Sequence, residues 1–217
     1  IVGGVADACR LAAFALVGGE TADHPGLLEP DAFDLAGFGV GVVERDAILG
    51  PERVRDGDVL VALPSSGPHA NGYSLIRRLV DGLDLAEPHG LDRPLGDELL
   101  EPTRIHVPDV LALAAALGPA LHAACHVTGG GLPGNLPRVM PDGLVADVDH
   151  ASWDLPQVFR WLAARGPVAD DELRRTFNCG VGMVAVVAAD AVGAALDLLA
   201  DRGTAAWVLG RVGPARG

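Results

Sequence analysis

Apolar residues recur at helical spacing from the start of the chain. Val2, Val5, Ala6 and Cys9 stand at i, i+3, i+4 and i+7 and predict an amphipathic helix running to about Ala15. A short strand, Leu16-Val17, is expected next, leading into Gly18-Gly19-Glu20-Thr21. The stretch from Leu35 to Glu44 (LAGFGVGVVE) reads as a buried strand whose glycines permit close backbone approach. A turn-rich segment from Asp46 to Asp58 then marks a domain boundary, placed between residues 49 and 50, so that 1–49 and 50–217 form separate parts.

Beyond that boundary strands alternate with helices, the pattern of a layered α/β (α+β) fold, and a mixed sheet flanked by helices is expected. Asp58 to Leu63 is strand-like, and Ser74 to Leu83 sets Leu75, Ile76, Leu79, Val80 and Leu83 along one helical face. A helix is predicted over Val107 to Leu117, with Pro108 suited to its first turn and Gly118 to its end. Leu121 to Val127 reads as a strand, followed by a short helix around Asn135 to Val139. Pro156 opens a helix carrying Val158, Phe159 and Leu162, which Gly166 ends. Gly180 to Ala188 is an apolar strand, Asp190 caps a helix ending before Gly203, and Thr204 to Val212 makes the last strand.

With 49% apolar residues in 217, the chain has enough material for a sizeable core. No apolar run reaches the roughly 20 residues that span a bilayer, and Ile-Val-Gly-Gly-Val lacks a basic leader. A cytoplasmic protein without a membrane partner is therefore expected, and the absence of an initiator Met leads us to expect residues upstream. The formal charge of -13 speaks against nucleic acid as a partner, because a polyanion gains nothing by counterion release from an acidic surface. Cys9, Cys125 and Cys179 are far apart and form no CxxC, so buried thiols are expected rather than disulfides or a zinc ribbon. All sixteen basic residues are arginines. Without lysine, neither a P-loop, a protein kinase nor a Schiff-base enzyme can operate from these residues alone.

Three Gly-rich polar turns lie where regular elements meet. Ser65-Ser66-Gly67-Pro68-His69-Ala70-Asn71-Gly72 offers hydroxyls, an imidazole, an amide and unhindered N–H groups beside a helix start, which suits a phosphate or carboxylate. It reads equally as a long turn in which Asn71 or Ser74 caps the helix. Thr128-Gly129-Gly130-Gly131 follows a strand directly, and three glycines can wrap an oxyanion, although a flexible loop is the alternative. In Thr176-Phe177-Asn178-Cys179-Gly180-Val181-Gly182-Met183, Asn178 suits a polar ligand or its own turn. Cys179 in these apolar surroundings reads as a buried thiol rather than a nucleophile.

Glu20 and Thr21, with Asp23, His24 and Asp34 nearby, form an acidic-polar cluster that suits a metal or nucleotide, or else a solvated loop. Two further motifs fail. Gly72-Tyr73-Ser74-Leu75-Ile76 lacks the last glycine of a nucleophile elbow. His122 and His126 have zincin spacing, but they fall on a strand, and Ala123 stands where the glutamate belongs.

Taken in order, the segments Gly18-Gly-Glu-Thr-Ala22 with Pro25-Gly26, Asp34 to Val43 and Asp56-Gly-Asp-Val-Leu60 resemble the aminoimidazole ribonucleotide synthetase (phosphoribosylformylglycinamidine cyclo-ligase) family. Ser65 to Leu75, Pro102-Thr-Arg-Ile105, Thr128 to Gly131, Asn135-Leu-Pro-Arg138 and Thr176 to Met183 continue the same order. The SSGPHANGYSL and TFNCGVGM segments are the specific ones.

The resemblance implies a C-terminal substrate-side domain of that type over 50–217, preceded at 1–49 by the end of an N-terminal ATP-binding domain. The implied reaction is ATP-dependent ring closure of formylglycinamidine ribonucleotide to aminoimidazole ribonucleotide in purine biosynthesis, with ATP and Mg2+ as cofactors and a homodimer in the full-length protein. Gly18, Gly19, Glu20 and Thr21 would face the nucleotide. Ser65, Ser66, Gly67, Asn71, Gly72, Thr128, Gly129, Gly130, Gly131 and Asn178 would face the ribonucleotide. His69, able to exchange a proton near neutral pH, is the candidate catalytic residue. No metal ligands are assigned. The family's further upstream residues carry much of the nucleotide site, so these 217 residues alone are expected to lack cyclo-ligase activity. Alternatives are a related ATP-using enzyme, such as selenophosphate synthetase, thiamine-phosphate kinase, formylglycinamidine ribonucleotide synthetase or a hydrogenase maturation factor, or a non-catalytic ligand-binding domain.

Overall fold

Two units make up the chain in the computed structural model, 1–48 and 49–217, and the structure describes residues 1–23, 26–29, 31–166 and 168–215. The first unit contains helix α1 (Val2–Leu11) and a 3-10 turn at Arg45–Ala47. The expected strands at Leu16-Val17 and Leu35 to Glu44 do not form, and the second is not buried: Phe38, Val40 and Val42 are almost fully exposed. A strand is not a local property. It needs a partner edge for its N–H and C=O groups, and a favourable apolar alternation cannot supply one. His24 and Pro25 lie outside the described residues.

The second unit is built on one five-stranded sheet. Its elements, in order, are β1 (Val59–Pro64), α2 (Tyr73–Leu79), α3 (Leu95–Leu99), α4 (Val107–Leu117), β2 (Leu121–His126), α5 (Gly131–Asn135), β3 (Leu144–Val148), α6 (Gln157–Arg165), α7 (Asp170–Thr176), β4 (Val181–Val187), α8 (Val192–Asp201) and β5 (Trp207–Pro214). The strand order is β2-β4-β1-β5-β3. Every pairing is antiparallel, so the α+β class holds while the sheet is not mixed. Alternation of strands and helices along the chain does not by itself make a parallel sheet; here each return places the next strand antiparallel to its neighbour.

Period-two alternation explains why β1 and β4 are apolar throughout. On one face Val59, Val61, Leu63, Ala185 and Val187 pack with Leu113 of α4 and with Ala195 and Leu199 of α8. On the other, Leu60, Ala62, Val184 and Val186 pack with Leu132 and Leu136 and against Trp153 and Trp207. Both faces are covered, so no position on these strands can be polar without burying that group. A third cluster gathers Ile76, Leu95, Leu99, Phe159, Leu162, Leu173 and Phe177 from α2, α3, α6, α7 and the turn after α7.

Three elements went unforeseen. β3 has a half-exposed alternating pattern, and α3 and α7 are only five and seven residues long. The helix expected over Ser74 to Leu83 stops at Leu79, and Asp190 sits in a 3-10 turn, Ala189–Ala191, rather than capping α8 through its side chain.

Polar ties fix the ends of the elements. Asp109, buried near the start of α4, accepts hydrogen bonds from Arg202 Nε at 2.8 Å and Thr204 Oγ1 at 2.8 Å. Thr204 Oγ1 in turn accepts from Arg104 at 2.8 Å. The start of α4 is thereby locked to the segment between α8 and β5. Asp109→Ala is expected to cost about 2 kcal/mol, because it removes two hydrogen bonds to a buried charge. Arg202→Ala should cost less, since its side chain is one-third exposed (34%). Urea unfolding of the two variants checks the order, and equal losses would contradict it.

Candidate functional site

The β1–β4 pairing brings two of the predicted turns side by side. Pro64 pairs with Val181, and Ser65 N–H donates to Gly180 O at 2.9 Å, so the turn after β1 starts where the turn before β4 ends. Asn178, 3% exposed, stitches the two together. Its Oδ1 accepts from Ser65 Oγ and from Gly180 N–H, each at 2.9 Å, and its Nδ2 donates to Gly67 O at 2.9 Å. Three bonds to protein partners make it a brace for the turn. Ser66 Oγ donates to Pro102 O at 2.6 Å, tying the same turn to the segment before α4.

The third turn arrives from β2. Gly131 sits so close to α7 that a Cβ there would lie 1.8 Å from Arg174 O. Asn135 draws the carbonyls of Thr128 (3.3 Å), Gly129 (3.2 Å) and Gly131 (2.8 Å) toward its own amide. In a planar trans peptide the N–H points opposite to the C=O. Clamping the Thr128 and Gly129 carbonyls therefore turns the Gly129 and Gly130 N–H groups to the far side, where Gly129 is exposed. Asn71 Oδ1 lies 3.3 Å from where a Cβ of Gly129 would stand, which joins this turn to the first. Gly72, at φ 79°, lies against Phe177: a Cβ would come within 2.3 Å of its ring. The three turns bring hydroxyls, amides and glycine backbone together at one end of the sheet.

Beside it stands a group of histidines. The ring centroids of His69, His106 and His126 are 6.4, 6.5 and 6.3 Å apart, a nearly equilateral triangle. His69 comes from the first turn, His106 from the residue before α4, and His126 from the end of β2. Gly182 lies beneath them; a Cβ there would be 2.4 Å from His106 Nε2. His69 has a left-handed backbone, φ 60°, which glycine tolerates far better than histidine, so the surrounding bonds hold it in a strained position. Burial, then the nearby His126, push His69 down to about 4. Burial, then Arg104 and the other two imidazoles, push His106 to about 4, with Asp109 opposing. Burial also lowers His126. All three rings are neutral at physiological pH.

Sequence reasoning singled out His69 but did not group His106 and His126 with it, and it read Asn135 as part of a short helix and of the segment Asn135-Leu-Pro-Arg138. The buried thiol of Cys179 is pushed up to about 12 by burial, so it has no nucleophilic character near neutrality. Gly18, Gly19, Glu20 and Thr21 belong to the first unit, where they are exposed and irregular. Among the described residues no group of three or more His, Cys, Asp or Glu side chains has metal-holding geometry, and no helix is long and apolar enough to cross a membrane.

Residues 55–217 match the family described as AIR synthase related protein, C-terminal domain. The phosphoribosylformylglycinamidine cyclo-ligase of Xanthomonas oryzae pv. oryzae is 50% identical over 220 residues, covering 100% of this chain and 64% of that protein. The enzyme of the same name from Xanthomonas euvesicatoria pv. vesicatoria is 47% identical over 219 residues, with the same 64% coverage. The chain thus spans a little under two thirds of these relatives. Among solved structures, thiamine-monophosphate kinase from Stenotrophomonas maltophilia superposes with a TM-score of 0.54 at 24% identity, over 81% of this chain and 53% of that one. The hydrogenase maturation protein HypE gives 0.53 at 18% identity, over 77% and 47%. These last two likenesses bear on the fold alone.

Two outcomes are expected. Gly131→Ala should cost roughly 2–4 kcal/mol and distort the turn, because its Cβ would meet backbone, whereas Gly134→Ala, with open space around it, should be neutral or slightly stabilising. Thermal and urea unfolding separate the two. For the histidines, the folded values of about 4 for His69 and His106 lie below the ordinary 6.5. The unfolded chain therefore binds more protons between those limits, and stability falls as pH drops from 6.5 toward 4. His106→Phe removes one of these groups, so its unfolding free energy should decline less than the parent's between pH 7 and about 5. Parallel declines in urea titrations would refute the assignment.

Proposed function

The chain belongs to the family of AIR synthase related proteins, and on that premise we propose that it supplies the ribonucleotide side of an ATP-dependent cyclo-ligase that converts formylglycinamidine ribonucleotide to aminoimidazole ribonucleotide. The observation that carries the reading is the likeness, along the whole of this chain and 64% of the relative, to an enzyme named phosphoribosylformylglycinamidine cyclo-ligase, at 50% identity. The turns add a physical ground. They bring the outward N–H groups of Gly129 and Gly130 beside the side-chain amide of Asn71, a set that matches a phosphate ester and a polar amidine, while the hydroxyls of Ser65 and Ser66, which donate to Asn178 and Pro102, offer only acceptor lone pairs.

In this reading the 50–217 part is the substrate-side domain, and 1–49 is the end of a nucleotide-binding domain in which Gly18 to Thr21 face ATP. The protein acts in the cytoplasm as a homodimer in its full length. ATP supplies the phosphoryl group that turns the formyl amide oxygen into a leaving group; attack by the amidine nitrogen then closes the ring and releases phosphate and a proton. Within the chain, the Thr128 to Gly131 turn holds the ribose phosphate by its outward N–H groups. Ser65, Ser66, Gly67, Asn71 and Gly72 shape the opposite wall, with Asn178 as their brace. His69 borders the reacting end. Its Nε2 accepts from Ser66 N–H at 3.1 Å, so the neutral ring carries its hydrogen on Nδ1, which is buried without a partner among the described residues. The described residues contain no side-chain set that fits a magnesium ion, so we assign magnesium no step here.

Calorimetry of the 217-residue chain with formylglycinamidine ribonucleotide, with and without a non-hydrolysable ATP analogue, tests the reading. The ribonucleotide alone is expected to bind, Gly131→Ala to weaken it at least tenfold, and the chain by itself to release no substrate-dependent phosphate from ATP. Binding of neither ligand would leave a non-catalytic module, and phosphate release would refute the division of the site.

A further inference from the structure

The three imidazoles are unusual in what they leave undone. Both ring nitrogens of His106 and Nδ1 of His69 are buried without a hydrogen-bond partner. His69 and His106 are themselves only 5% and 3% exposed. A purely structural trio at this spot would be better served by apolar rings, because unpaired buried polar atoms cost stability and gain nothing in packing. Gly182 keeps open the space that brings them together. The arrangement therefore carries a cost that only a proton or a ligand can recover.

We propose that His69, His106 and His126 form a single proton-sharing site that takes up one proton when a dianionic group occupies the turns at 65–72 and 128–131. This rests on the reading that those turns hold a phosphate. His126 is exposed and connects the site to solvent, so the proton enters there and forms an N–H bond on one of the three rings. A second proton is disfavoured on the order of a hundredfold, since two unit charges would stand about 6.4 Å apart.

The surroundings explain why an incoming anion is needed. From the α4 side, Arg104 opposes charge on His106 and Asp109 favours it, but Asp109 is already held by Arg202 and Thr204. The 65–72 turn has no charged side chain besides His69, and the carboxylates of Glu98 and Glu101, which flank Gly67, are both paired with Arg93. β4 presents Gly182 and Met183, neither charged, and β2 presents His126 itself. Among the described residues, the carboxylates of Asp109, Glu98 and Glu101 are thus already committed elsewhere. A bound dianion supplies the missing negative charge and raises the affinity of the site for a proton. Its departure lets the proton go.

Inorganic sulfate is the probe, because it does not titrate between about pH 3.5 and 8, a range that includes the midpoints near 4, and any proton taken up must come onto the protein. Imidazole Cε1–H resonances are followed through that range with sulfate and with chloride at matched ionic strength, with backbone amides recorded in parallel. Sulfate is expected to shift the amides of Gly129 and Gly130 and raise the midpoint of the trio by about one pH unit. Calorimetry in two buffers of different ionisation heat should show uptake of a fraction of a proton, greatest between about pH 4 and 5, where the free and sulfate-bound midpoints lie. His106→Phe should keep sulfate binding within about threefold while losing most of the uptake. The solvent-facing His126→Gln gives the same readout should the first variant fold poorly. Amide shifts without a change in the trio's midpoint, or unaltered uptake in both variants, would overturn the proposal and leave the phosphate reading standing. No amide shift at any sulfate concentration would remove the phosphate reading, and the linkage with it.

Discussion

The antiparallel register between β1 and β4 is the constraint from which the rest of the second unit follows. Val59 to Leu63 face Val187 to Met183 residue by residue, and both strands are buried on two faces. A slip of one residue would exchange the sets of side chains packed against α4 and α8 on one face and against Leu132, Leu136 and Trp153 on the other. The same register decides where the strands end. Because Ser65 meets Gly180, the hydroxyl-rich turn and the Asn178 turn emerge at one edge, and β2, paired to the other side of β4, delivers His126 and the glycine turn to the same edge. The candidate site is the place where three strand ends leave the sheet together.

Much of this unit was legible in one dimension. The helix over Val107 to Leu117 matches its prediction at both ends, because Pro108 and Gly118 punctuate it and its interior is uniformly helix-favouring. The strands at 59–64, 121–126 and 181–187 follow from dense apolar runs bounded by turns. What failed to show is what depends on partners. β3 takes its strand conformation from pairing with β5, and α7, a charged seven-residue helix, carries a single fully buried apolar anchor, Leu173. Leu35 to Glu44 shows the converse, a persuasive apolar alternation that remains unpaired in the first unit.

The candidate site divides along the same line. Its turns announced themselves, since runs of glycine, serine and asparagine between apolar elements are locally costly and so informative. The histidine trio did not. His69, His106 and His126 are separated by 37 and 20 positions, and a single sequence holds no distance information across such gaps. The available hint was weak: His106 follows Thr-Arg-Ile and His126 sits two residues before the Thr-Gly-Gly-Gly turn, so each borders a segment already singled out. His126 was weighed only against a zinc motif whose histidines stand four positions apart, a comparison that directed attention along the strand rather than across the sheet.

Trp153 donates from its indole N–H to Cys179 O at 2.9 Å, and its ring lies 6.3 Å from that of Trp207. The acceptor is the peptide next to Asn178, the residue that braces two of the three turns. An indole is an optical group whose emission follows the polarity and hydrogen bonding at its ring, and this one is bonded to the residue that follows the brace. The remaining tryptophan, Trp161, bonds to His89 O within the helical cluster, well apart in the hydrogen-bond network. The protein thus carries a built-in gauge beside its candidate site, together with a separate reference for the packing of its helices, and needs no added label for the state of the site to be read with light.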